Sequence, residues 1–214
     1  NMYTGTRESV NTYFLQLTQS TGLCEPYELA QKMGIELTNP EGKEPGGGMP
    51  ERVPTFVLGI ADTSPLELAE AYATFGGRGL HCASRPVTAI EDAAGNVLKE
   101  YPKDCTQVLP GAVADAVNDV LRGVQEPGGF GYGRGLALPQ QSAGKTGTTQ
   151  DNKAVWFAGY TPNLAAASMI AGANIEGTPA TLNGKLVGGV YISSASGSGT
   201  AGPMWGDAMK VIAA

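Results

Sequence analysis

The feature that most constrains the fold is the order of its periodicities, with helical spacing through the first part of the chain and β-rich stretches gathered near its end. Val10, Tyr13, Phe14 and Leu17 trace one helical face that Gly22 closes, so a helix is expected to begin at Ser9 to Asn11. A second short helix fits residues 26–33 and stops at Gly34. Ser64-Pro65-Leu66-Glu67 unites an N-cap serine, a proline at the first helical position and a glutamate placed to return the cap, opening a helix that runs to Phe75. Ala112, Val113, Ala116, Val117, Val120, Leu121 and Val124 mark an amphipathic helix of about four turns. Residues 142–148, 154–160 and 164–172 are rich in small, β-branched and aromatic side chains and read as neighbouring strands of one sheet. Residues 203–212 make a last helix with Trp205 and Met209 on one face. Helices first and strands last argue for α+β layering and against a regular βαβ winding.

Between these elements lie turn-rich stretches. Residues 38–54, with Gly46, Gly47 and Gly48, read as a surface loop or an inserted flap, and 126–135 as a glycine-rich loop. Residues 86–91 and 97–101 flank Ala94-Gly95-Asn96, the pattern of a β-hairpin, and Cys82 and Cys105 bracket it. A chain of 214 residues suffices for one domain or most of one, so residues 1–214 are expected to form a single unit.

Composition removes several functions. A net charge of −6 offers no cationic surface to neutralise phosphates, so no nucleic-acid partner is expected. No run of roughly 18 apolar residues and no signal-peptide pattern occurs, so a membrane is reached only through an anchor outside this sequence. Cys24, Cys82 and Cys105 match no metal-ligand spacing and His81, the single histidine, adds at most one ligand; neither metal nor cofactor is expected. His81 falls in a glycine-rich helix exit that reads as a loop, which argues against Ser-His-Asp or Cys-His chemistry. A nucleophile here needs another base.

The sharpest local signal is Ala143-Gly144-Lys145-Thr146-Gly147-Thr148-Thr149. Strand alternation puts Lys145 and Gly147 on one face, Thr146 and Thr148 on the other, and the bare Gly147 would let a ligand's backbone lie against the strand. A phosphate-binding loop would need glycine where Pro139 stands. The plain alternative is a Gly-Thr edge strand with a solvated lysine. Ser9-Val10-Asn11, taken alone, equally suits ordinary helix capping. Together and in this order they match the second and third elements of the serine acyltransferase set that recognises β-lactams, Ser-x-Asn and Lys-Thr-Gly.

Beyond those motifs, Thr55 to Gly59, Ser64-Pro65-Leu66-Glu67-Leu68-Ala69, Ala71-Tyr72-Ala73-Thr74-Phe75 and Ala154-Val155-Trp156-Phe157-Ala158-Gly159-Tyr160-Thr161-Pro162 resemble the transpeptidase domains of class A penicillin-binding proteins, in wording nearest the actinobacterial branch. The similarity runs from Ser9 to the last helix with Pro203 and Trp205. It implies an α+β penicillin-recognising serine transpeptidase fold, β-lactamase-like and incomplete, with helices plus the C-terminal strands of the central sheet. By motif position, Ser9 would relay a proton toward the leaving group, Asn11 would hold the substrate's side-chain amide, and Lys145 would hydrogen-bond near Ser9 and keep the site electropositive. The hydroxyls of Thr146 and Thr148 would take the carboxylate of peptide or β-lactam, and the Thr148 N–H would form half of an oxyanion hole.

The resemblance also implies partners and place: peptidoglycan stem peptides and β-lactams as ligands, and work outside the cytoplasmic membrane. The Ser-x-x-Lys that carries nucleophile and base is expected to be missing from these residues, together with the first sheet strands and a glycosyltransferase domain. An upstream segment of the same protein then becomes a necessary partner. A hydrolase with the same machinery, either DD-carboxypeptidase or β-lactamase, and a non-catalytic sensor or scaffold are the rivals. An extracytoplasmic location permits oxidation, and the ends of a hairpin must approach each other, so a Cys82–Cys105 disulfide is expected, with Cys24 free.

Overall fold

The computed structural model describes residues 1–44 and 48–213. Six α-helices and nine short strands occur among them: α1 (Met2–Arg7), α2 (Asn11–Thr21), α3 (Cys24–Lys32), α4 (Pro65–Gly76), α5 (Gly111–Arg122) and α6 (Gly202–Ile212), with β1 (Leu80–Cys82), β2 (Ala89–Glu91), β3 (Val97–Glu100), β4 (Cys105–Gln107), β5 (Ala143–Thr148), β6 (Ala154–Tyr160), β7 (Ala165–Ala171), β8 (Lys185–Val187) and β9 (Val190–Ile192). Of the turn-rich stretch at 38–54, Gly46 and Gly47 lie outside the described residues, and Pro54–Leu58 forms a 3-10 turn.

Strands β5, β6 and β7 form one antiparallel sheet in chain order, as the sequence pattern requires. Alternation along β6 splits its side chains between two layers. Val155 and Phe157 join Trp205 and Met209 of α6, with Leu136, Leu182 and Ile192, in one buried cluster. Tyr160 and its cross-strand partner Ala143 pack on the opposite face with Leu121 and Val117 of α5 and Tyr72 and Phe75 of α4. The sheet is therefore sandwiched between α6 and the α4–α5 pair. Trp205 donates from Nε1 to the Gly159 carbonyl at 3.2 Å, and a side chain at Gly159 would come within 2.6 Å of its ring, so glycine is required there.

Sequence chemistry explains the helix ends. At α4 the Ser64 hydroxyl accepts from Glu67 N–H at 3.2 Å and Glu67 accepts from Ser64 N–H at 2.6 Å, the capping box expected from the letters. Six-residue α1 has no counterpart in the periodicity, because two β-branched threonines and Gly5 give it weak intrinsic propensity. It is held by tertiary contacts: Tyr3 donates to Asp119 of α5, and a side chain at Gly5 would lie 2.6 Å from the Tyr13 ring of α2.

The hairpin β2–β3 continues outward from a second pair, β1–β4, in which Cys82 stands opposite Cys105, and the disulfide between them is formed. Cys24 is free and exposed. His81 is a strand residue of β1, not a loop residue as its glycine-rich setting suggested. The ladder with β4 recruits it, and its ring contacts the Thr74 hydroxyl at 3.1 Å and Glu70 at 3.3 Å.

Candidate active site

Ser9 sits where α1 stops. Its N–H donates to the Thr6 carbonyl at 3.2 Å and the Val10 N–H donates to the Gly5 carbonyl at 2.8 Å, the paired bonds of a Schellman stop. That position has φ 55°, the left-handed region that usually goes to glycine, and a serine held there costs about 1 kcal/mol or more. Ser9 therefore ends α1 and does not cap α2, whose N-cap is Val10 without any side-chain bond. The capping alternative fails, and the hydroxyl is left to receive a hydrogen bond from Lys145 Nζ. Asn11 opens α2 beside it.

Strand β5 supplies the other wall through its open edge. Lys145 stands opposite Ala158 and Gly147 opposite Trp156, on the face toward α4 and α5, while Thr146 and Thr148 share the α6 face with Phe157 and Val155. The Thr149 N–H donates to the Ala154 carbonyl at 2.9 Å, so alternation turns the peptide groups of Thr146 and Thr148 away from β6. Lys145 Nζ meets that edge, donating to the Thr146 carbonyl at 2.8 Å and lying 3.4 Å from its hydroxyl. The amine thus arrives round one face of the strand and the threonine hydroxyls from the other.

Where they meet is a cleft of about 270 Å³ lined by Ser9, Asn11, Phe130, Thr146, Thr148 and the turn Ser196-Gly197-Ser198. Burial lowers the Lys145 amine to about 8. Among the described residues no carboxylate stands within ion-pair distance of it. Its charge, where present, sits against Ser9 and Thr146, two residues of the cleft lining, without a carboxylate partner, which suits an anionic ligand. No cluster of metal-ligating side chains occurs among the described residues.

Sequence reasoning brought Ser9, Asn11, Lys145, Thr146 and Thr148 to this place and missed the rest. Phe130 is 47% exposed on the 126–135 loop, whose backbone lies so close to α5 that a side chain at Gly129 would come within 2.3 Å of the Gly123 carbonyl. An aromatic set between glycines was the available signal. The Ser196–Ser198 turn gave none, because its letters read as flexible linker. Gly197 fits only as glycine, since a side chain would come within 2.5 Å of the Trp156 carbonyl.

The bare carbon of Gly147 faces Trp156, whose Cβ would stand 3.2 Å from an added side chain. One expectation needs correction. The Ser-x-x-Lys spacing does occur once, at Ser142-Ala143-Gly144-Lys145. It runs into strand β5, where positions three apart point to opposite faces, so it cannot act as the one-turn pair of a helix. Ser142 lines a separate cleft with Arg122 and Gln141, and Lys145 binds Ser9.

A half-buried lysine on a glycine-threonine edge strand is thus joined to the serine of a Ser-x-Asn turn beside one cleft. The chain belongs to the penicillin-binding protein transpeptidase family, whose description, "Penicillin binding protein transpeptidase domain", fits residues 1–191. Penicillin-binding protein 1A of Aquifex aeolicus is 33% identical over 184 residues, covering 86% of this chain and 23% of that protein. Penicillin-binding protein 1A of Mycolicibacterium smegmatis is 30% identical over 216 residues, covering 93% and 26%. The chain spans about a quarter of the length of the curated relatives it matches. Among solved structures, PonA1 of Mycobacterium tuberculosis in complex with penicillin V superimposes with a TM-score of 0.69 at 27% identity, over 98% of this chain and 55% of that one. Penicillin-binding protein 1A of Haemophilus influenzae gives a TM-score of 0.77 at 20% identity, over 98% and 33%, and so shares the fold.

Proposed function

We propose that residues 1–214 are the ligand-binding part of one transpeptidase domain in a peptidoglycan D,D-transpeptidase that works outside the cytoplasmic membrane. The observation that carries this reading is the Lys145 to Ser9 hydrogen bond across the open edge of β5. It joins the two motif elements into one site, and the solved PonA1 complex with penicillin V gives a relative of this fold that binds a β-lactam.

In this reading the nucleophilic serine and its lysine base come from a Ser-x-x-Lys segment outside these residues. That serine attacks the carbonyl of the penultimate D-alanine, the peptide C–N bond breaks, and D-alanine leaves with the proton relayed through Ser9. The amine of a neighbouring stem peptide then attacks the ester and restores the serine. Lys145, while charged, holds Ser9 and draws the substrate carboxylate toward the hydroxyls of Thr146 and Thr148. Asn11 orients the acyl side chain's amide. The Thr148 N–H, turned to the open edge, stabilises the tetrahedral oxyanion, a contribution on the order of 100-fold in rate. A β-lactam enters the same path and stops at the ester.

Intact-mass measurement after penicillin treatment tests this. The full-length gene product should gain one adduct, and peptide mapping should place it on a serine followed three positions later by lysine in a helix. The isolated 214-residue chain should gain none. An adduct on Ser9 or Ser142 of the isolated chain would overturn the assignment.

A further inference from the structure

Ser198 is only 8% exposed and belongs to the cleft lining, and its hydroxyl makes no hydrogen bond to another described residue. Nor is it sealed away: among the described residues, the buried side-chain polar atoms left without a partner are those of the Gln125 amide. A hydroxyl on a nearly buried residue normally finds a partner, because leaving it unpaired is costly. Here the remaining direction is the cleft.

The turn that carries Ser198 is fixed from several sides. The Gly197 N–H donates to the Thr148 hydroxyl at 3.0 Å, the Gly199 N–H donates to the Ser196 hydroxyl at 3.0 Å, and the Ser196 N–H donates to the Thr200 hydroxyl at 3.1 Å. Behind it, Asn183 accepts from the Ala195 N–H at 2.8 Å, Asn152 donates to the Ala195 carbonyl at 2.6 Å, and Ser168 donates to the Ala201 carbonyl at 2.7 Å. Because Thr148 Oγ1 accepts from Gly197, its own proton is free to donate into the cleft. Two hydroxyl donors, Thr148 and Ser198, therefore border the same space, with Thr146 and the Lys145 amine beside them. An ionised carboxylate accepts only, through two oxygens with room for several donors.

We propose that Ser198 is a further ligand-binding residue of this site, donating its hydroxyl to the ligand carboxylate alongside Thr146 and Thr148. This rests on the transpeptidase reading above for the identity of that ligand. Gly197 acts through Ser198 and Thr148, pressed against β5 so that both hydroxyls hold one spacing.

The test compares acylation of the full-length gene product by benzylpenicillin and by its methyl ester, followed by intact mass, for wild type, Ser198→Ala, Ser198→Cys and Ser198→Thr. Loss of a hydrogen bond to a charged group should slow benzylpenicillin acylation about ten-fold or more in the alanine and cysteine variants. The ester, which lacks the charged acceptor, should react within roughly two-fold of wild type, and threonine should restore the rate. The cysteine variant keeps the volume and so serves if alanine disturbs the turn. Equal losses on acid and ester, or no loss on either, would overturn the assignment of Ser198 while leaving labelled wild type in accord with the transpeptidase reading. A wild type that benzylpenicillin does not label would overturn both.

Discussion

The β5–β6–β7 sandwich and the β1–β4 arm are both antiparallel, yet they are stabilised in different ways. The sandwich buries Phe157, Val155 and Trp205 almost completely between helices. The arm leaves Ile90, Val97 and Leu98 exposed, with Leu98 at 67%, and its strands are three or four residues long. Two-stranded ribbons of that size are marginal in water, and a covalent link between Cys82 and Cys105 offsets the shortage of core. The cleft's edge strand belongs to the region with the deep core. Packing fixes the geometry of the chemistry, and the arm is free to vary without disturbing it.

The comparison breaks most sharply at Trp205. Replacing it by alanine should cost about 3–5 kcal/mol, seen as a large fall in melting temperature, with β-lactam labelling falling in parallel. A smaller loss, about 3 kcal/mol, is expected for Cys82→Ser with Cys105→Ser, since a loop closed at a separation of 23 residues is released. Labelling by penicillin at a temperature where that variant remains folded should be unchanged. Non-reducing peptide mapping should find the Cys82–Cys105 link with Cys24 unpaired; Cys24 joined to either partner would contradict the arm's account.

A third effect follows from Lys145, whose amine is lowered by burial from the ordinary 10.5 to about 8. A lysine with a depressed folded value costs stability while charged, below about 8, and that cost is relieved as pH rises from about 8 toward 10.5. Binding of a carboxylate ligand should move the opposite way, weakening as the charge is lost above about 8. Lys145→Arg, if it labels, should lose that alkaline decline, because arginine keeps its proton throughout this range. The smallest effect is reserved for the arm's surface: Leu98→Ser should change stability by less than about 0.5 kcal/mol. A larger change would mean that the exposed arm packs on something.

The parts legible in the sequence were those governed by local rules or by strong patterns. The Ser64 capping box, the three sheet strands, the face carrying Trp205 and Met209, and the alternation of Lys145 against Thr146 all follow from spacing. The hairpin's disulfide followed from strand ends that must meet. What escaped depended on distant partners. Helix α1 exists through α2 and α5, so its own residues carry little signal. Ser9 looked like an N-cap, whereas its role is set by the Schellman bonds of the preceding helix. The β8–β9 hairpin carries only a short signal, Gly188-Gly189 between apolar residues. Ser198 and Phe130 join the cleft lining only because the turn and the loop are brought against β5. The cleft residues known from motifs lie on elements with periodic sequence, and the unforeseen ones lie on glycine-rich connections.

The central claim is that Lys145 serves the ligand and not the fold, and Lys145→Ala in the full-length gene product tests it directly. Two quantities are needed: the rate of acylation by benzylpenicillin and the melting temperature in the same buffer. Removing the cation that bridges Ser9 and the strand edge should slow acylation on the order of 100-fold. Melting should hold or rise slightly near neutral pH, because the desolvation cost of an ammonium without a carboxylate partner disappears with it. A melting temperature that falls steeply while acylation persists at the wild-type rate would contradict the account and make Lys145 a structural residue of an ordinary edge strand.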